Sequence, residues 1–248
     1  MHKLKIWTGP LVRGTAARPP SSQPVSTQVV SKIIHFFSYH LLLSRRQTTF
    51  VRAAGLYLVV PPTVFHPRFF LTSEFFAGFI AQLDLTGKRV ADLGTGTGIL
   101  ALTAARAGAA KVVAIDVNPN ATRAAAQNAE INGLSDIVTA VCSNFFSSVA
   151  PQPQFDVIFA NPPYFCGEPR DLADRAWHAG PGYRDIAHMF EQARERLSPG
   201  GRMYVITSSN CELDSFVALM ERAKFQPQLA AEKSAFVERF LIFMLVKA

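Results

Sequence analysis

Acidic residues are missing from the first 73 positions of this 248-residue chain, and the first to occur is Glu74. The same stretch carries nine Lys and Arg, whereas the remainder holds 16 basic against 18 acidic residues. The net charge of +7 therefore belongs to the N-terminal segment. Such a segment reads as a nucleic-acid-binding arm, as an organelle-targeting peptide, or as an upstream extension of little function. Cysteine is scarce: Cys142, Cys166 and Cys211 form no CxxC pair, which excludes a disulfide framework and points to a reducing, cytoplasmic setting. The six His form no HExxH or paired Cys/His spacing, so no metal is expected. Long apolar runs are missing too. Stretches such as "FLIFMLV" fall far short of the roughly 20 residues that cross a bilayer, so no membrane partner is expected. What is present is 49% hydrophobic content against 17% charged, enough for one large domain with a real core.

Residues 1–28, with "ARPPSSQP", show no apolar periodicity and read as a lead-in; 29–43 fit a short helix. Residues 1–54 are accordingly expected to be a basic extension and 55–248 the catalytic domain. "GLYLVVPPTVFHP" reads as an extended segment. The spacing of Phe75, Phe76, Phe79, Ile80 and Leu83 predicts a helix over 73–84, with Thr72 or Ser73 as its cap. Strands at 89–93, 111–116, 137–141, 156–160 and 202–207 alternate with helices near 98–107, 119–131, 185–197 and 212–223, the pattern of parallel βαβ units. Two closing β-rich stretches are separated by too few residues for a crossover, so they should pair antiparallel.

The first strand of this series runs into "ADLGTGTGIL", with Gly94, Thr95 and Gly96 at the turn where open α/β sheets bind ligands. Glycine there lets backbone approach a ligand, and the helix amino end offers free N–H groups. The spacing is GxGxG behind Asp92, not the GxGxxG of dinucleotide sites. An acid ahead of the turn repels a pyrophosphate and suits a ligand carrying an ammonium and a sulfonium, such as S-adenosylmethionine (SAM). Asp116 ends the next strand 24 residues later, near the spacing at which an acid accepts from ribose hydroxyls. Asn118 and Pro119 already supply a helix cap and first helical residue, leaving Asp116 for a ligand. Asn144, after the third strand, is either an acceptor for an adenine amine or a plain loop residue.

"FANPPYF" places Asn161, Pro162, Pro163 and Tyr164 after the fourth strand. Consecutive prolines fix φ and bias their predecessors to extended backbone. The Asn161 side-chain oxygen and the Pro162 carbonyl are thereby expected to face one point. Two fixed acceptors there would take both N–H bonds of a planar amide or aryl amine and turn its nitrogen toward a methyl donor, with Tyr164 stacking on the substrate.

Together "VADLGTGTGILAL", "AIDVNP" and "FANPPY" resemble the class I SAM-dependent methyltransferases of the NPPY group, over roughly residues 55–248. Within it, "RAWHAGPGYRDI" followed by "LSPGGRMYVI" resembles the HemK-like protein-glutamine methyltransferases. The resemblance implies a Rossmann-like α/β fold: a seven-stranded, mostly parallel sheet with a C-terminal antiparallel strand and helices on both faces. It also implies that Asp92, Gly94 and Gly96 line the methionine end of SAM, Asp116 the ribose, and Asn161, Pro162 and Tyr164 the target amide. The implied substrate is a glutamine of a translation release factor, and some members of the family need an activating subunit. Two positions depart from the family: Asn144 stands at its acidic adenine position, and Thr72, Ser73 and Glu74 replace a shorter acidic motif. Adenine amines in DNA or RNA, a small-molecule amine, and a non-catalytic SAM-fold role are the competing readings; the basic N-terminus favours the nucleic acids.

Overall fold

A computed structural model describes residues 5–6, 47–67, 71–163, 165–171, 174–209, 211–235 and 238–248. The expected lead-in at 1–28 and helix at 29–43, apart from the pair at 5–6, lie outside the described residues, as does Tyr164.

The elements in chain order are β1 (Lys5–Ile6), β2 (Thr49–Ala53), β3 (Leu56–Val60), α1 (Leu71–Ile80), β4 (Arg89–Leu93), α2 (Ile99–Arg106), β5 (Lys111–Asp116) and α3 (Pro119–Ile131). There follow β6 (Val138–Cys142), β7 (Phe155–Ala160), α4 (Arg184–Arg196), β8 (Leu197–Ser208), α5 (Leu213–Arg222), β9 (Phe225–Ala235) and β10 (Glu238–Lys247). The main sheet runs β1-β9-β10-β8-β7-β4-β5-β6. Strands β8, β7, β4, β5 and β6 pair in parallel, as helical crossovers demand. β10 is antiparallel to both β8 and β9. The seven-stranded, mostly parallel sheet is thus the one expected, and the two-residue β1 adds an eighth strand at the β9 edge.

Alternation along the strands sends side chains to two separate cores. Val90, Val112, Val157, Phe159 and Tyr204 pack with α1, α2 and α3 on one face. Ala91, Ile115, Ile158, Met203 and Val205 pack with α4 and α5 on the other. Phe76 of α1 meets the Phe159 ring edge-on at 5.7 Å, and Phe159 stacks on Tyr204 at 5.8 Å. Helix α1 begins at Leu71, so Thr72 and Ser73 are buried in its first turn and do not serve as caps.

β2 and β3 form a separate hairpin that lies across the division at residue 54, so Thr49–Ala53 are paired strand. Its outer edge is bound by side chains of α3. Fully buried Asn128 accepts from the Val59 N–H at 2.7 Å and donates to the Val59 carbonyl at 3.0 Å. Asn132, one turn on, repeats the pattern at Tyr57, accepting at 3.1 Å and donating at 2.8 Å. Among the described residues no helix is long and apolar enough to cross a membrane, and no cluster of His, Cys, Asp or Glu is placed to hold a metal ion.

Candidate active site

Loops following β4, β5, β6 and β7 converge on one cavity of about 150 Å³ at the carboxyl ends of the parallel strands. The glycine loop forms its floor. Gly94 and Thr95 N–H both donate to the Ile115 carbonyl, at 2.9 and 3.0 Å, which folds the loop back over β5. Gly98 packs against α3: at φ +84° a Cβ there would meet Ala125 at 3.2 Å. At Gly96 a Cβ would touch nothing within 4 Å. The backbone at Gly94 and Gly96 is therefore an open cradle.

Asp92 does not line this cavity, contrary to the expectation that it meets the ligand. It is fully buried behind the loop, where one carboxylate oxygen accepts from the Thr95 hydroxyl at 2.6 Å and from the Ala101 N–H at 3.1 Å. The reason is local. The first turn of α2 leaves N–H groups without intrahelical partners, and an acid on the preceding strand supplies the nearest acceptor. The other oxygen, Oδ1, has no hydrogen-bond partner among the described residues. Burial pushes the Asp92 carboxyl up to about 7, a shift the Thr95 and Ala101 hydrogen bonds oppose.

Asp116 does line the cavity, at the end of β5. Its Oδ2 accepts from the Gly96 N–H and its Oδ1 from the Asn118 N–H, both at 2.9 Å. The carboxylate thus ties the glycine loop to the start of α3 and keeps lone pairs for a ligand. Burial raises its pKa against the pull of these N–H bonds. Asn118 caps α3 as expected, accepting from the Asn120 N–H at 2.9 Å. It also donates to the Thr63 carbonyl at 3.0 Å, which draws the segment after the hairpin over the cavity. Asn144 is exposed and lines the wall after β6, together with Ser143 and Phe145.

Asn161, Pro162 and Pro163 form the wall after β7. A Cβ on Gly94 would come within 4.0 Å of the Asn161 carbonyl oxygen, so the motif and the glycine cradle face one space. Of the residues at the amino end of α1, Ser73 lines the cavity, whereas Thr72 does not and Glu74 is exposed. Sequence reading missed the rest of the wall: Thr63, Phe65, Phe165, Arg175, Trp177, His178 and Asp185. Phe65 and Trp177 rings lie 5.6 Å apart, and Phe165 stacks near Trp177 at 6.4 Å, giving this end an aromatic lining. A signal for it existed. The connection from β7 to α4 is far longer than the usual two to six residues or so of an α/β unit, and such loops are disproportionately functional.

The donor set suits SAM. Gly94 and Gly96 offer open backbone, Asp116 offers free carboxylate lone pairs, and the apolar side of the wall offers surface for a flat ring.

Comparison with known proteins points the same way. The family model described as "Methyltransferase small domain" matches residues 61–237. Ribosomal protein L11 methyltransferase of Leptospira interrogans is 40% identical over 105 residues, 42% of this chain and 35% of that protein, so the match spans about a third of such relatives. A Methanocaldococcus jannaschii protein, provisionally named a protein N5-glutamine methyltransferase, is 27% identical over 183 residues, 71% of this chain and 91% of that one. Among solved structures, the T. thermophilus 16S rRNA N2 G1207 methyltransferase, in complex with AdoMet and guanosine, superposes with a TM-score of 0.61 at 22% identity, over 82% of this chain and 50% of that one.

Proposed function

The chain belongs to the methyltransferase small domain family, and from that premise we propose that it transfers the methyl group of SAM to the side-chain amide nitrogen of a protein glutamine of the release-factor type. The observation that carries the reading is that Asn161 and Pro162 line the same cavity as the glycine cradle, beside Gly94. SAM supplies an electrophilic methyl group when bound. Gly94 and Gly96, without side chains, would let its methionine end lie close against the loop that includes Thr95, Asp116 would accept from its ribose, and Asn144 would adjoin its base. Asn161 and Pro162 supply two oxygen acceptors to an amide whose own lone pair is delocalised, and fix its nitrogen in line for transfer. Alignment of two held partners supplies most of the acceleration. The Methanocaldococcus relative, similar along 91% of its own length, supports glutamine as the acceptor.

A second reading, an exocyclic amine of a nucleic-acid base, has two supports. The first 73 residues hold nine basic side chains and no acid, and the aromatic wall of Phe65, Phe165 and Trp177 suits a planar base. Incubation with labelled SAM and, separately, a GGQ-containing release factor, total RNA and duplex DNA decides between them. Label on the release factor is expected; label confined to nucleic acid overturns the glutamine assignment.

A further inference from the structure

The long connection between β7 and α4 carries a second set of reactive groups to the acceptor end of the cavity. The Asp174 side chain is only 1% exposed, and its Oδ2 accepts from the Arg170 backbone N–H at 3.0 Å and from the Arg170 Nε at 2.9 Å. The Arg170 Nη2 donates to the other oxygen at 3.2 Å. His178, four residues on, turns its Nδ1 to within 3.2 Å of that same Oδ1. Backbone pairing fixes where the ring sits. The Phe165 N–H donates to the Trp177 carbonyl at 3.1 Å and the Ala179 N–H to the Phe165 carbonyl at 2.9 Å, which seats His178 opposite the fourth residue after Asn161. Gly167 closes on the ring's other edge, since a Cβ there would lie 3.1 Å from His178 Cδ2. The imidazole is thus held on two sides and forms part of the same wall as Asn161 and Pro162.

A methylated amide nitrogen must lose a proton, and the groups on this wall differ in their capacity to receive it. The Asn161 and Pro162 oxygens accept hydrogen bonds but are too weakly basic to keep a proton. Arg175 has no lone pair to offer. Asp185 is engaged by Arg184 Nε at 3.3 Å. Asp116 lies at the end of β5, two strands from β7, a separation of about 10 Å at the usual strand spacing. Among the described residues of this wall, His178 is the remaining base.

We propose that His178 takes up the proton displaced from the acceptor nitrogen, with the Asp174 carboxylate facing the charge it acquires; this rests on the N-methyl transfer reading above. The nitrogen lone pair forms the new N–C bond as the C–S bond breaks, and that electron pair leaves with sulfur as a neutral thioether. One N–H proton then passes to His178 Nε2 and on to solvent, since 31% of the His178 side chain is exposed. Asp174 lies 3.2 Å from Nδ1, so its carboxylate faces the positive charge that forms when Nε2 takes the proton. Burial alone would raise the Asp174 carboxyl, but the Arg170 hydrogen bonds and the neighbouring His178 bring it below its ordinary value, so it stays ionised beside the ring.

Two measurements test this on the full chain. With the GGQ-containing release factor as acceptor, His178→Ala is expected to lower kcat about 10²-fold, within the range for loss of a general base, leaving SAM affinity unchanged. Added imidazole should restore part of the rate. Asp174→Asn should lower kcat less, with little change in KM. A His178→Ala rate within about twofold of wild type, or a loss that imidazole does not restore in a folded variant, overturns the assignment. Independently of any acceptor, the imidazole ¹⁵N shifts of His178 should change in Asp174→Asn; unchanged shifts overturn the part given to Asp174. If wild-type protein leaves the release factor unlabelled, the glutamine reading fails, and the same His178→Ala comparison on whichever nucleic acid takes up label decides for or against His178.

Discussion

The two ends of the cavity are built by different means. The donor end consists of short turns directly after β4 and β5, and its polar groups are bound to one another: Asp92 to Thr95 and Ala101, Asp116 to Gly96 and Asn118. The acceptor end is a long excursion between β7 and α4 held by isolated bridges at Phe165–His178 and Gly167–Gly180. One end is tied to sheet and helix termini; the other is a long loop pinned mainly by its own bridges. A lesion at the donor end should therefore disturb fold and ligand together, and one at the acceptor end should disturb turnover alone.

The largest effect expected is on stability at the donor end. Asn128→Leu orphans the Val59 N–H, the Val59 carbonyl and the Thr97 carbonyl, which Asn128 reaches at 2.9 Å. Each buried orphan costs about 1–3 kcal/mol. A thermal melt should show a clear loss of stability with weakened SAM binding; a wild-type melting temperature would break the contrast between the two ends.

At the acceptor end, Asn161→Ala should lower turnover by roughly 10²- to 10³-fold, the scale of removing one preorganised polar contact to a reacting group, with SAM affinity nearly unchanged. Single-turnover rates beside calorimetric titration check it. Equal losses in both quantities would mean that Asn161 is part of the donor end.

Legibility in the sequence followed the same contrast. β4 to β8 and the glycine loop were readable because each is local: a strand's apolar run, a turn, a helix with its own period. The place of Asp116 at the cavity is legible because Asn118 and Pro119 visibly supply the cap. Asp92 was misjudged because strand order alone does not tell whether an acid looks out to a ligand or back to the N–H groups of the helix it precedes. Thr72 and Ser73 look like caps in the sequence because a hydroxyl before an apolar stripe looks the same whether or not the helix begins a residue or two earlier. His178 and Trp177 had no local pattern; only pairing with Phe165 across the loop brings them to the cavity.

Asp116→Ala should weaken SAM binding about 10- to 100-fold, the worth of charge-assisted contacts of about 1.5–3 kcal/mol. Because Asp116 also joins two loops, a small drop in melting temperature should accompany it. Calorimetry on a folded variant with unchanged affinity would remove Asp116 from the ligand's contacts.

The smallest effect is a dependence on pH. The Asp92 carboxyl sits near 7 in the fold against an ordinary 3.8, so between those values the folded chain holds a proton that the unfolded chain has lost. Its contribution is full below about pH 4 and declines as the pH rises to about 7. Asp116, also raised by burial, adds a slope of the same sign. Melting temperature of the ligand-free protein is expected to fall between pH 5 and pH 8, and Asp92→Asn should flatten that fall without abolishing it. An undiminished slope in the variant would place the proton elsewhere.

The paired amides on α3 work as a vernier between two different rulers. Four residues of helix advance about 6 Å, and two residues of strand advance about 6.6 Å, so Asn128 and Asn132 match Val59 and Tyr57 at one setting. Sliding the hairpin by one residue would turn its inward-bonding groups away from both amides. Sliding by two would engage one amide and strand the other. The hairpin can therefore dock at a single notch, and Thr63, three residues beyond β3, arrives over Asn118 at a fixed height. Two neutral side chains thus gauge how far the roof of the cavity stands from its floor.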